Sequence, residues 1–432
     1  MHSTQHSTQP PTILLFQFLC LLLSSLVSTA HAGWGKSKVE SHSSPYPLTS
    51  EHFLIGILTS ALVCVASLVW MVVGGGKVGG RRKVNVVLVG CGMPKKSMGW
   101  YHLTQLLKMK NVNVIAVVEP FFLGICTDVP PQFSTFMSDL SKNRGIKFVK
   151  SISDLDDFPP LTMVLLAART SDNPLLFEQA LDKGAKCIYL EKPGAPTVKE
   201  LERMKNLAIS RTVPCRVFLG YNKNVTRYVK EAMEFSAGVE SAHLEFVHNN
   251  AYKKSELVEC FTRNSEGMLK NMAIHELALL VSFFDVRVDT VFKITVDKSK
   301  SEKLTLGGIT DFSKVSFQVT TLAGASATVT ADRCAGTVSF ANVKGGGAEG
   351  KIVKSFACPT AEETAKVEAQ KKADPEIMEY FLTQSDDYDM LKTNVVRAFA
   401  DGTDAGDVAT IDVAIEALKL AEFATKSLMR QL

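Results

Sequence analysis

The nine cysteines of this 432-residue chain show no spacing that is typical of a metal site. Their odd number and their dispersion argue against a disulfide framework and favour free thiols in a reducing compartment. The net charge of +4 is also small, and the charged residues are scattered along the sequence. A nucleic-acid-binding protein usually concentrates positive charge. The sequence therefore predicts neither a metal site nor a nucleic-acid partner.

Two apolar segments precede the main part of the chain. Residues 1–32 contain a run of signal-peptide length that is followed by Ala30-His31-Ala32, a cleavage signal of the small-x-small type. Residues 53–73 carry no charge and can cross a hydrocarbon core of roughly 30 Å. Lys77, Arg81, Arg82 and Lys83 follow this second run and indicate its cytoplasmic side.

Three arrangements of these segments stay open. If the first segment is cleaved, a single-pass transmembrane helix at 53–73 remains; if it is retained, the two segments form a hairpin. Both arrangements place the main part of the chain in the cytosol. The third arrangement is a bipartite leader that targets an organelle. About 350 residues remain after the leader, more than one hydrophobic core usually holds, so we expect two domains.

The first of these domains begins with a strand, a glycine turn and a second strand. Residues 84–89 and 112–118 are β-branched runs typical of buried parallel strands. Gly90 and Gly92 follow the first run, and glycine there allows a tight turn and a close approach of the backbone to a pyrophosphate. This order predicts a dinucleotide-binding unit.

Two further features bear on the cofactor. Lys95 stands at the usual spacing of a third glycine and Gly99 comes four residues later, which predicts a longer loop whose Lys95 or Lys96 could offset phosphate charge. Glu119 ends the second strand, where a carboxylate accepts hydrogen bonds from a ribose diol. No lysine or arginine follows it in the segment 120–122. A 2′-phosphate would be repelled, so we expect NAD rather than NADP.

Two more strands complete the predicted parallel sheet. Residues 161–166 form a buried run that ends beside Ala168, and a helix is predicted over 174–183. The strand 187–190 then delivers Glu191-Lys192-Pro193 at its carboxyl end. Because ligands of a doubly wound sheet bind outside the carboxyl ends of its strands, Lys192 is predicted to lie at the binding edge. We assign residues 80–213 to this domain.

Residues 214–432 follow a different pattern. Several segments alternate apolar and polar residues, which is typical of antiparallel strands with one buried face. We predict an α+β domain with a large, mostly antiparallel open sheet, whose second face is free for a partner subunit in a homo-oligomer, and a closing helix over 408–429. Residues 345–347 and 360–374 are predicted to be flexible loops. The predicted strands span 217–219, 244–247, 291–296, 315–320, 327–330, 338–343 and 352–356.

These motifs together resemble the glucose-fructose oxidoreductase, inositol dehydrogenase and MocA family. The resemblance runs from about residue 84 to the carboxyl terminus. It implies an N-terminal Rossmann domain, a C-terminal sheet domain and an NAD(P)-dependent oxidoreductase that acts on a sugar, polyol or related alcohol. The motifs that carry it are Gly90-Cys-Gly92, Glu119, Glu191-Lys192-Pro193, Gly220-Tyr221-Asn222 and Gly267-Met-Leu-Lys-Asn271-Met-Ala-Ile-His275.

The chemistry of an alcohol oxidation agrees with these motifs. A base must take the hydroxyl proton while hydride leaves the carbon, and a cation beside the oxygen lowers the barrier. His275 and Lys192 fit these two roles. Asn222 and Asn271 are expected to orient the substrate. The cofactor is expected to contact Gly90, Gly92, Gly99, Glu119, Ala168, Glu191 and Lys192.

One departure from the family keeps a second hypothesis open. The family commonly has aspartate where this chain has Asn271, and asparagine cannot take a proton. Glu276 cannot simply replace that aspartate, because an adjacent residue points about 100° around the helix. Asn173 likewise stands where relatives often have histidine. The chain is therefore either an NAD-dependent enzyme or a non-catalytic nucleotide-binding scaffold or sensor.

Overall fold

A computed structural model of the protein describes residues 82–432. The signal segment predicted over 1–32 and the membrane segment predicted over 53–73 lie outside this range. Within residues 82–432, none of the helices combines the length and the apolar character that crossing a membrane requires.

The first sheet has six strands in the order β3-β2-β1-β4-β5-β6. Every pairing in it is parallel. The strands β1, β4 and β5 are almost entirely buried, which explains why they are continuous apolar runs. The predicted doubly wound sheet is confirmed. Its strands are β1 (Val84–Val89), β2 (Val112–Val118), β3 (Lys147–Val149), β4 (Thr162–Leu166), β5 (Cys187–Leu190) and β6 (Arg216–Leu219).

Four helices connect these strands. α4 is capped at its start by Thr197, whose hydroxyl accepts a hydrogen bond from the Glu200 amide. The helix α2 ends at Gly145, whose φ of 68° is left-handed. The helices are α1 (Met98–Leu106), α2 (Pro131–Arg144), α3 (Asn173–Asp182) and α4 (Val198–Ile209).

The sheet extends beyond the domain boundary predicted at residue 213. β6 follows that boundary and pairs with β5 in parallel, with Val217 opposite Ile188. Its run Val217-Phe-Leu219 is continuous and buried rather than alternating. This is the pattern of a parallel strand that is buried on both faces and not of the half-exposed strands that follow.

The second sheet has seven strands in the order β13-β12-β7-β11-β10-β8, with β9 paired to β10. Only the pairing of β7 with β11 is parallel, so the predicted mostly antiparallel sheet is confirmed. The strands are β7 (His243–Asn249), β8 (Val291–Val296), β9 (Glu302–Leu306), β10 (Ile309–Thr321), β11 (Ser326–Asp332), β12 (Ser339–Gly345) and β13 (Lys351–Cys358).

Helices cover one face of the second sheet and return the chain to the first. α11 contacts α1 and β1, while α12 contacts α4 and β6. The Arg216 guanidinium also donates to the Ala398 carbonyl at 2.7 Å, which ties β6 to α11. The remaining helices are α5 (Arg227–Ser236), α6 (Leu257–Arg263), α7 (Met268–Asn271), α8 (Ile274–Phe284), α9 (Ala361–Ala373), α10 (Glu379–Thr383), α11 (Ser385–Asp401) and α12 (Ile411–Gln431).

The flexible loop predicted over 360–374 is wrong, because this segment forms α9. The Thr360 hydroxyl accepts from the Glu363 amide, and the Glu363 carboxylate accepts from the Thr360 amide at 2.7 Å. This capping box starts the helix. Only Val367 is buried in α9, so the segment lacks the apolar periodicity on which the sequence prediction relied.

Gly99 fixes the distance between α1 and β1. A Cβ atom at this position would lie 1.7 Å from the Gly90 carbonyl oxygen. Gly99 therefore performs the packing role of the third glycine, although it comes later in the sequence than that glycine usually does.

We predict that Gly99→Ala will lower the free energy of unfolding by about 1–3 kcal/mol, since the added methyl group collides with backbone and overpacking costs about that much. Urea denaturation will measure the change. Gly124→Ala is the matched control, because its added Cβ would come no closer than 3.8 Å to Lys150. Equal stability of the two variants would contradict the packing role of Gly99.

Candidate active site

The glycine turn and Glu119 meet at the carboxyl ends of β1 and β2. Gly90 and Gly92 have φ angles of 83° and 68°, which L side chains rarely adopt. The Glu119 carboxylate accepts hydrogen bonds from the Gly92 amide at 2.6 Å and the Phe121 amide at 3.1 Å. A Cβ at Gly90 would lie 2.8 Å from Ala168. The structure thus brings Gly90, Gly92, Glu119 and Ala168 together.

Lys95 makes different contacts from those predicted. Its ammonium group pairs with Asp374 at 2.8 Å and with Glu376 at 3.2 Å, and its carbonyl accepts from the Met378 amide at 3.3 Å. These contacts satisfy the lysine charge within the protein. Lys95 therefore ties the glycine loop to the segment that precedes α10.

Glu191 lies buried in a hydrogen-bonded chain that the sequence did not reveal. Its carboxylate accepts from the His102 Nε2 at 2.9 Å and from the Tyr189 hydroxyl at 3.1 Å. The Lys392 ammonium donates to the His102 Nδ1 at 3.1 Å, so the His102 proton must be on Nε2. Lys392 and His102 are 290 residues apart, and no local pattern connects them.

Burial and the neighbouring charges together set the protonation states of His102, Lys392 and Glu191. It lowers the pKa of His102 to about 4 and that of Lys392 to about 7. Burial alone would raise the pKa of the Glu191 carboxyl, but the hydrogen bond from His102 and the charge of Lys192 outweigh it and hold that pKa below its usual value. Glu191 is therefore anionic beside a neutral His102.

A cavity of about 510 Å³ opens beyond Glu191, at the carboxyl end of β5. Four of the residues that were predicted to act on substrate line it together, which confirms that they are neighbours. These residues are Lys192, Asn222, Asn271 and His275.

Lys192 and Asn271 are in direct contact. The Lys192 ammonium donates to the Asn271 carbonyl at 3.1 Å, while the Asn271 side-chain amide donates to the Glu266 carboxylate at 2.7 Å. Burial lowers the pKa of Lys192 and outweighs the opposite effect of Glu191. The backbone carbonyl of Asn271 therefore holds the Lys192 ammonium, while the side-chain amide of Asn271 is hydrogen-bonded to the Glu266 carboxylate.

A buried ion pair anchors the helix that ends at Asn271. The Asp311 carboxylate accepts from the Met268 amide at 2.9 Å and from Arg333 at 2.7 Å. Both charged side chains are almost fully buried, so solvent and salt screen their electrostatic attraction only weakly. This contact fixes the start of α7 and, with it, the positions of Asn271 and His275.

His275 is a buried, neutral histidine. Burial and the charges of Lys192 and Lys223 hold its pKa well below the usual value. Its Nδ1 has no hydrogen-bond partner among residues 82–432, and its ring meets Tyr221 edge-on at 5.8 Å between centroids. The tautomer of His275 is therefore not fixed by a neighbour.

Two titratable residues near His275, Lys223 and His248, were not predicted from the sequence. Glu276 forms an ion pair with Lys223 and accepts from the His248 Nδ1 at 3.0 Å. Lys223 and His248 line the cavity. A histidine on an alternating strand gives no sequence signal of its own. The Glu276 carboxylate contacts Lys223 and His248.

The remaining predicted side chains have specific partners. The Asn222 amide donates to Gln384 at 3.0 Å and leaves its buried Oδ1 without a partner in the described part of the chain. Asn173 donates to the Gly194 carbonyl at 2.9 Å. Asn222 thus has an acceptor available at the cavity, whereas the amide of Asn173 serves the turn after Lys192.

The described residues form a parallel Rossmann-like sheet, a second mixed sheet and a polar cavity at the carboxyl end of β5. Residues 84–219 match the model of the GFO_IDH_MocA family, described as an oxidoreductase family with an NAD-binding Rossmann fold. The resemblance to the glucose-fructose oxidoreductase, inositol dehydrogenase and MocA family is thereby confirmed. No protein of curated function matches the sequence significantly.

Solved structures share the fold across both domains. Myo-inositol dehydrogenase from Corynebacterium glutamicum is 18% identical, with a TM-score of 0.56 over 81% of this chain and 97% of that one. Scyllo-inositol dehydrogenase from Lactobacillus casei, solved with NAD(H) and scyllo-inositol, is 14% identical, with a TM-score of 0.57 over 81% of this chain and 98% of that one. At such identities the similarity establishes the fold.

We predict that Lys392 contributes a rise in stability with pH between about 7 and 9, and that Lys392→Met removes this contribution. The pKa of Lys392 is lowered to about 7 in the folded protein, while an unfolded lysine titrates near about 10.4. Between these values the unfolded state binds more protons, so raising the pH favours folding.

Urea denaturation at several pH values will measure this effect. Lys108→Met, at an exposed site on α1's carboxyl side, is the control and should keep the pH dependence of the unaltered protein. Parallel curves for the unaltered protein and Lys392→Met would contradict the titration of Lys392.

Proposed function

We propose that the protein is an NAD-dependent oxidoreductase that transfers hydride between the nicotinamide and a CH–OH group of a sugar, polyol or related alcohol. The observation that supports this most is the shared cavity, which combines Lys192, His275, Asn222 and Asn271 at the carboxyl end of a parallel strand. Ligands of doubly wound sheets bind at this edge.

The residues around the glycine turn fit a dinucleotide. Gly90 packs so closely on Ala168 that a residue with a side chain would not fit at this position. Glu119 supplies a carboxylate that can accept hydrogen bonds from a ribose diol. Phe121 and Phe122 follow Glu119 without a cation that could hold a 2′-phosphate. These features favour NAD over NADP. When bound, the nicotinamide supplies the hydride chemistry.

Lys192 and His275 are the residues that we assign to the reacting hydroxyl. The lysine ammonium can donate a hydrogen bond to the substrate oxygen and stabilise negative charge that develops on it. Because its pKa is lowered, Lys192 can also exchange a proton more readily than a solvated lysine. His275 is neutral and can bond to a hydroxyl in either direction.

The cavity favours a neutral, hydroxyl-rich substrate. Side-chain amides both donate and accept hydrogen bonds, which matches the hydroxyl groups of a polyol. The carboxylates of Glu256 and Glu379 on the wall disfavour an anionic substrate. The amides that line the cavity belong to Asn222, Asn249, Asn250, Asn271 and Gln384.

The alternative is a non-catalytic nucleotide-binding scaffold or sensor. Asn271 favours it, because an amide cannot replace the proton-accepting aspartate of the family. The retention of Lys192 and His275 in one cavity supports an enzyme instead.

We predict that Lys192→Ala will reduce turnover of a polyol by about 10²–10⁴-fold, since the cation and proton donor at the oxygen are lost. NADH affinity should stay within about threefold. Lys199→Ala, at an exposed site on α4, is the matched control and should retain full turnover.

Turnover will be followed by NADH absorbance with a panel of sugars and polyols, and binding by nicotinamide fluorescence with NADH and NADPH in parallel. We expect NADPH to bind at least about tenfold more weakly, a difference of about 1.4 kcal/mol. Full turnover by Lys192→Ala would contradict its role, and NADH binding without turnover of any substrate would favour the scaffold.

We also predict that Asn271→Asp will lower rather than raise turnover. Its carboxylate would face that of Glu266, which is 2.7 Å from the present amide, and two carboxylates at such a distance cannot both stay ionised without cost. The double variant Asn271→Asp, Glu266→Gln should recover activity, because the amide and acid are exchanged. Activity that rises in the single variant would show that Asn271 is a loss rather than a specialisation.

A further inference from the structure

The cavity contains a second histidine in addition to His275. His248 is at the end of β7 and lines the cavity together with Lys192 and His275. The two imidazole rings have centroids 6.2 Å apart. A substrate that contacts Lys192 can therefore meet either ring.

The protonated nitrogen of His248 is fixed by Glu276. The distance from the His248 Nδ1 to the Glu276 carboxylate is 3.0 Å. Glu276 is buried and anionic: burial opposes its ionisation, but His248 and Lys223 outweigh burial and hold its pKa far below the usual value. An ionised carboxylate only accepts hydrogen bonds, so Nδ1 must carry the proton. The Nε2 then has a lone pair.

His275 lacks this support. Its Nδ1 has no partner in the described structure, and the cations of Lys192 and Lys223 oppose its protonation. An imidazolium at His248 would instead contact the Glu276 carboxylate directly. Burial and the same pair of cations lower the pKa of His248 too, but there Glu276 opposes them through a hydrogen bond as well as through its charge.

We propose that His248, oriented by Glu276, is the catalytic base that replaces the aspartate missing at position 271. This inference rests on the proposed oxidoreductase function. In the oxidation direction the substrate O–H bond breaks and its proton forms an N–H bond at the His248 Nε2. The C–H hydride passes to oxidised nicotinamide, and the carbon and oxygen form a carbonyl group. His275 binds a substrate hydroxyl.

The first test compares His248→Gln with His275→Gln in the full-length protein. Glutamine retains hydrogen bonding but has no basicity near neutral pH. We expect kcat to fall by about 10²–10⁴-fold in His248→Gln, with the NADH affinity unchanged, and mainly KM to rise in His275→Gln. His243→Gln is the control, since His243 is on the same strand, faces the opposite side and bonds to Ser326 and Thr328.

A pH profile separates a base from a structural residue. In the unaltered enzyme kcat should fall at low pH as His248 gains a proton. The double variant Lys223→Met, Glu276→Gln removes the two nearest charges that act on the pKa of His248, one lowering it and the other raising it. Lys192 then remains as the main nearby cation. The acid limb should move to lower pH, since no carboxylate then stabilises the imidazolium.

A measurement that does not need turnover tests the same geometry. In nitrogen-15 spectra of histidine-labelled protein, the His248 signals, assigned by their loss in His248→Gln, should show the neutral tautomer with the proton on Nδ1. A proton on Nε2 would overturn the proposal, as would a kcat for His248→Gln within threefold of the unaltered enzyme. NADH titration and turnover by the unaltered protein report separately on the oxidoreductase function.

Discussion

The burial of the Glu191 carboxylate is the constraint on which the site depends. A charge removed from water requires partners. Glu191 accepts from His102 on α1, which in turn accepts from Lys392 on α11, and the charge of Lys192 follows Glu191 directly in the sequence. β6 leaves room for it, because a Cβ at Gly220 would lie 2.5 Å from the carboxylate. Glu191 can therefore stay ionised in its buried position only when these partners surround it.

The same arrangement of charge occurs twice around the cavity. Lys392, His102 and Glu191 form one chain, and Lys223, Glu276 and His248 form another. In each, a carboxylate stays ionised and a histidine stays neutral. The order differs, because the histidine is internal in the first chain and terminal, at the cavity, in the second. Of these two, only the second places an imidazole, that of His248, at the cavity.

The strands and the dinucleotide motif were predictable because their signals are local. Continuous β-branched runs such as 84–89 specify inner parallel strands, and Glu191-Lys192-Pro193 follows such a run directly. α9 was missed because its polar surface gives no periodicity, although Thr360 and Glu363 carried the capping signal. His102, Lys392 and His248 could not be recognised, since their partners lie 28 to 290 residues away and only folding brings them together.

The ion pairs and the backbone hydrogen bond of Lys95 connect the glycine loop to the segment before α10 and, through it, to the cavity wall. The glycine loop holds Asp374, Glu376 and Met378, and Met378 also lines the cavity. A movement of this loop would therefore displace a residue of the cavity wall. Thermodynamic linkage then requires reciprocity: the factor by which one ligand changes the affinity for the other is the same in both directions.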